Sequence, residues 1–326
     1  MNELPVTCRS PDICSQEADV IMPIYLLLIL LFLPGALHAR LPVVDMHLHY
    51  KWSQQEVTSP QAAIQVLDAE QILLGVVIGT PAELALQLAR QAPERIVPIW
   101  SPYREGGDWY RWMSDDGVVD RARQALASGR YHGIGELHLV GGFATRARQD
   151  DVLSRLLVLA ADHEVPVMLH TEFSRPDPML ALCNAHPRTR IVWAHAGSIL
   201  PPSAVATVLS ACDNVWAGLA ARDPWRFVNN PLTDEQGMLL PEWRALLLRF
   251  PARFMVGSDP VWPVDQLDRW DEADTGWQEL GRFWDHHRDW LADLPQETAR
   301  RIACENALAL FRPGAAVRCT DGVPAP

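Results

Sequence analysis

Five short apolar segments of the chain end in residues that bind metal ions or move protons: Val43–His49, Gly133–His138, Val167–His170, Ile191–His195 and Met255–Asp259. His47 and His49 stand two apart, so on a strand both imidazoles face the same way and can meet one ion. Neutral imidazole is a common ligand near neutral pH. Glu136 lies in an otherwise apolar run, where an unpartnered carboxylate is costly; a metal is its expected partner, an Arg ion pair the alternative. His138 shares the face of Glu136 and reads either as a substrate contact or as a rim histidine satisfied by its neighbours. His170 and His195 each close an apolar run. Asp259 can bind the metal and take a proton from water, or simply cap the segment after it. The expected ligand set is His47, His49, Glu136, His170, His195 and Asp259. The expected cofactor is one or two divalent ions, with Zn²⁺ first and Mn²⁺ or Fe²⁺ as alternatives.

Residues scattered over more than 200 positions converge only if the fold brings strand ends together. Runs rich in Val, Ile and Leu predict eight buried strands at 42–48, 73–79, 95–101, 132–139, 166–171, 190–195, 215–220 and 254–259. Apolar residues at three- and four-residue spacing predict helices at 59–71, 82–92, 118–129, 149–163, 178–186, 202–212 and 241–250, then 277–293 and 296–311. Strand and helix alternate to eight. That predicts an α/β chain folded as one (β/α)₈ TIM barrel over residues 40–313, with a tail at 314–326, rather than an open doubly wound sheet. In such a barrel the active site lies at the C-terminal ends of the strands. The loops 102–117, 221–240 and the one after the last strand are long. They carry Trp109, Trp112, Trp225, Trp262 and Trp270, read as an apolar substrate wall or as loop packing.

Residues 20–39 carry no charge and end in Ala36-Leu37-His38-Ala39. This reads as a signal peptide over 1–39, cut after Ala39, with Met22 as an alternative start and an uncleaved membrane anchor as the alternative fate. The expected location is the periplasm or the exterior. The net charge is −12, and residues 1–39 hold one Arg and four acids, so their removal leaves −9. An acidic chain without a basic cluster is not expected to bind nucleic acid; a small molecule is the expected partner. Export permits disulfides, but Cys183 and Cys212 lie in apolar helical contexts and read as buried small hydrophobes.

The ordered set resembles the amidohydrolase superfamily over nearly all of the chain after residue 40. That pattern is His-x-His after strand 1, Lys or Glu after strand 4, His after strands 5 and 6, and Asp after strand 8. It corresponds to His47/His49, Glu136, His170, His195 and Asp259. Glu136 in place of a carboxylated Lys resembles TatD-type and phosphotriesterase-related branches. Asp45-Met46-His47-Leu48-His49-Tyr50 and Gly135-Glu136-Leu137-His138 resemble the amidohydrolase-2 branch. The branches differ in metal count, which stays open. The resemblance implies hydrolysis of an ester, lactone or amide by metal-activated water. Asp259 would carry the proton, and His195 or His138 would steady the oxyanion. Arg104 and Arg222 are candidates to hold an anionic substrate group, with plain surface solvation as the alternative for both. An amidohydrolase-2-type decarboxylase, a TatD-like nuclease and a non-catalytic metal-binding barrel are the competing readings.

Overall fold

Long Val/Ile/Leu runs form strands here because both of their faces are covered. The computed structural model describes residues 41–139, 151–172, 175–226, 229–262, 273–312 and 318–320. All of these belong to the unit Leu41–Pro326. The signal-peptide reading at 1–39, with Met22, and Trp270 lie outside the described residues, as does most of the tail at 314–326.

All eight expected strands form: β1 (Val43–Lys51), β2 (Ile72–Thr80), β3 (Ile96–Ile99), β4 (Ile134–Leu139), β5 (Val167–Thr171), β6 (Ile191–Trp193), β7 (Val215–Gly218) and β8 (Phe254–Met255). Every ladder is parallel, in one sheet of order β1-β2-β3 and a second of order β4-β5-β6-β7-β8. At the first seam the Trp100 amide donates to Gly133 O at 3.0 Å and Gly135 N to Trp100 O at 2.8 Å. At the second, Met46 N donates to Val256 O at 3.0 Å and Asp259 N to His47 O at 2.8 Å.

The helices follow the expected alternation: α1 (Pro60–Ala69), α2 (Glu83–Gln91), α3 (Val118–Ala127), α4 (Val152–Asp162), α5 (Asp177–Ala185), α6 (Pro202–Ala211), α7 (Pro241–Arg249) and α8 (Leu280–Ala292). Their starts carry ordinary signals. Ser59 accepts from Ala62 N ahead of Pro60, and Asp151 accepts from Ser154 N. The last expected helix, 296–311, is interrupted by one π-helical stretch at Arg301–Glu305.

The regular part of β8 is shorter than its apolar run. A side chain at Gly257 would stand 2.7 Å from His47 Cβ and 2.8 Å from His47 N. The backbone can pass β1 this closely only as glycine, and that contact brings Asp259 beside His47.

The cysteines correct the sequence expectation. Cys183 and Cys212 are not free hydrophobes but a disulfide joining the end of α5 to the end of α6, with Cα atoms 6.0 Å apart. A second disulfide, Cys304–Cys319, ties the π-helical stretch to residue 319. Thiol titration of the denatured, unreduced unit 41–326 is therefore expected to find none of its four cysteines free. Reduction is expected to remove about 3 kcal/mol of stability per bridge, read as a fall in the melting temperature.

Candidate metal centre

Glu136 is the hub. One carboxylate oxygen, Oε2, lies 3.2 Å from both His47 Nε2 and His49 Nε2. The other, Oε1, lies 3.2 Å from His170 Nδ1 and 3.3 Å from His195 Nε2. Asp259 Oδ1 closes the first side, 3.4 Å from His49 Nε2 and 3.9 Å from His47 Nε2. The six expected ligands are thus brought together. His47, His49 and Asp259 form one group that can hold an ion, His47, Glu136 and His195 another, and Glu136, His138 and His170 a third.

This donor set fits a divalent ion. His47 Nε2 and His49 Nε2 face each other at 3.1 Å, and both face carboxylate oxygens. Lone pairs in such numbers repel unless a cation lies among them. Ligand bonds of about 2.1 Å in a tetrahedral shell put donor atoms about 3.4 Å apart, close to the spacings found here. His195 is already set for this role. Its Nδ1–H donates to Ala220 O at 2.9 Å, which leaves the Nε2 lone pair facing the cluster.

Charges respond to the crowding. Burial opposes the ionised form of Glu136, but His47, His170 and His195 hold its carboxyl well below the usual range. Burial also works against Asp259, and the imidazoles of His47, His49 and His195 outweigh it, to about 2. Burial disfavours the charged form of His170, yet Glu136 and Glu172 raise it to about 10. His138 goes the other way, down to about 3, through burial and the neighbouring His170.

The backbone under the two terminal ligands is unusual. His195 (φ 54°) and Asp259 (φ 48°) both lie in the left-handed region, and Ala196, Gly197 and Ser198 continue it. Each such non-glycine residue costs roughly 1–2 kcal/mol, so the surroundings must hold it in place. Two buried arginines from the loop after β7 do so. Arg222 donates to the carbonyls of His195 (2.6 Å), Ala196 (3.1 Å), Leu200 (3.1 Å) and Asn230 (2.7 Å). Arg226 donates to Ser258 O at 2.7 Å and Asp259 O at 2.8 Å, and pairs with Asp223 at 3.0 Å.

Arg222 is therefore not a substrate clamp. It is 0% exposed, and its guanidinium is spent on the His195 turn. Arg104 is exposed and turned onto Asp108, at 3.1 Å. Arg226 escaped sequence reasoning, as did Asp45. The Asp45 carboxylate accepts from His47 N (3.1 Å), Ser258 N (3.0 Å) and Trp284 Nε1 (2.9 Å), and so ties the His-x-His strand to the Asp259 turn. Burial raises its pKa to about 6. The available signal was an acid inside an apolar run. Of the loop tryptophans, Trp109 stacks on His138 and Trp112 donates to His138 O, whereas Trp225 packs on His286 and Trp262 lies beneath Arg282.

A family model described as Amidohydrolase matches residues 44–312. The chain belongs to the amidohydrolase family. It is an enzyme of the metal-dependent hydrolase type, and its His/Glu/Asp cluster is suited to a divalent metal. No curated protein sequence matches it. Among solved structures it resembles an amidohydrolase from Burkholderia multivorans with bound HEPES, at a TM-score of 0.51 and 16% identity, over 82% of this chain and 98% of that one. It also resembles amidohydrolase 2 from Bifidobacterium longum subsp. infantis, at a TM-score of 0.49 and 16% identity, over 83% of this chain and 98% of that one. At such identity the first likeness speaks to the fold alone: a parallel α/β architecture consistent with a TIM barrel.

Proposed function

We propose that this amidohydrolase is an exported (β/α)₈-barrel enzyme that hydrolyses a small ester, lactone or amide with a metal-activated water. The observation that carries this is the two-sided Glu136 carboxylate, with His47 and His49 on one oxygen and His170 and His195 on the other. That division would let these residues hold two divalent ions, zinc first. His47, His49 and Asp259 would hold one, and His170 and His195 the other. A divalent ion there supplies Lewis acidity, making water a nucleophile near neutral pH and polarising the substrate oxygen. Asp259 then takes the proton of the attacking water and delivers it to the leaving group. Its carboxylate is the most open of its group, 13% exposed against 0% for His47 and 9% for His49, so it borders the space a substrate would enter. His195 acts as a ligand through its Nε2 lone pair.

Export is supported by the two disulfides, since such bonds persist in oxidising compartments. The decarboxylase alternative calls for a cation to seize a substrate carboxylate; of the two arginines expected to do so, Arg222 is occupied by carbonyls and Arg104 by Asp108, which counts against it.

The test is elemental analysis of protein purified without a chelator or histidine tag. About two ions per chain are expected, falling in a His47→Ala/His49→Ala variant, with turnover lost on chelation and restored by Zn²⁺. About one ion would turn the reading toward the decarboxylase. No uptake of Zn²⁺, Mn²⁺ or Fe²⁺ would overturn it.

A further inference from the structure

The loop after β3 does something the metal cluster does not account for: it grips His138 through Tyr103, Trp109 and Trp112. Tyr103 is buried, and its hydroxyl accepts from the His138 backbone N–H at 2.8 Å. The same hydroxyl lies 3.1 Å from His138 Nδ1. Trp112 Nε1–H donates to His138 O at 3.2 Å. Trp109 stacks on the imidazole, with centroids 5.0 Å apart at 18°, and His170 stacks on it at 4.7 Å and 26°.

These contacts choose a tautomer. The phenol oxygen already accepts from the backbone, and its one proton needs an acceptor because a buried donor left unpaired is costly. Among the described hydrogen bonds the only acceptor within its reach is His138 Nδ1. The imidazole proton must then be on Nε2, which lies 4.0 Å from Glu136 Oε2 on the cluster side. An Nε2–H offers no lone pair to an ion. His138 is thereby set apart from His195, whose Nδ1–H is tied to a carbonyl and whose Nε2 is free to ligate.

We infer that Tyr103 is a positioning residue that fixes His138 as a neutral Nε2–H donor, aimed beside the metal cluster at the oxygen of the substrate carbonyl. The catalytic part of this inference rests on the hydrolase reading above; the tautomer does not. In that role His138 donates to the oxygen as it gains charge in the transition state, a contribution worth about 10²-fold or more in kcat.

The experiment is long-range ¹H–¹⁵N NMR of histidine-labelled full-chain protein, recorded with and without Zn²⁺, with His138 assigned from a His138→Gln spectrum. Wild type is expected to show His138 as the Nε2–H tautomer in both states. Tyr103→Phe is expected to give a mixed population at unchanged zinc content. Trp109→Leu, which removes the stack but keeps the phenol, is expected to hold the wild-type tautomer. On a substrate found by screening, Tyr103→Phe should lower kcat by the fraction of the Nε2–H tautomer lost, on the order of twofold to tenfold, with KM little changed, and His138→Gln should keep part of the rate because an amide N–H remains. An Nδ1–H wild type, an Nε2 bound to zinc, or a tautomer unmoved by Tyr103→Phe would overturn the inference. A wild type that takes up no zinc would sink the hydrolase reading alone, because the zinc-free spectra still decide the tautomer.

Discussion

Asp259→Asn is expected to lower kcat/KM by about 10³-fold at saturating zinc, within the range for loss of a general base. The substitution is close to isosteric. The contacts that shape the turn use the Asp259 backbone: its N–H to His47 O, and its carbonyl to Arg226. They survive the change, so circular dichroism and the melting temperature should stay near wild type. What is lost is a carboxylate on the open edge of its ligand group. An amide cannot accept the proton. It also brings less negative charge to His47 and His49, so zinc affinity should fall as well. Working at saturating zinc separates the two effects. A variant that keeps wild-type turnover there removes Asp259 from the proton path and leaves it a ligand only.

Much of this centre could be read from residue order. Strands buried on both faces appear as uninterrupted Val/Ile/Leu runs, and a His or acid at the end of such a run has few ordinary reasons to be there. Hence all eight strands form where expected, and the residues picked as ligands meet around Glu136. What sequence could not supply is direction. Arg222 and Arg226 are four residues apart in one loop, and nothing in their type says which carbonyls they reach. That depends on the left-handed turns at His195 and Asp259, the second of which follows Gly257 where it passes against His47. The Cys183–Cys212 pair is hidden for the same reason, since two apolar helical contexts say nothing of whether their ends lie 6.0 Å apart. Tyr103 looks like any loop tyrosine until β4 places His138 over it.

Arg226→Met is the second large effect, and it acts on stability. Arg226 and Asp223 form a buried pair, with side chains 2% and 4% exposed. Removing the cation strands a buried carboxylate whose pKa burial already raises, and breaking such a pair costs about 3–5 kcal/mol. For a domain of this size that is a fall in melting temperature on the order of 10 °C. The carbonyls of Ser258 and Asp259 lose their donors in the same step, so the left-handed Asp259 turn relaxes and activity falls with it. Adding Asp223→Asn separates the two causes. The double variant no longer buries an unpaired charge and should regain much of the lost stability. It should not regain activity, because the carbonyls that Arg226 clamps are still unheld. If the double variant recovered both, Arg226 would matter only as a counter-ion to Asp223, and the geometry of Asp259 would be set by Asp45 and Gly257 alone.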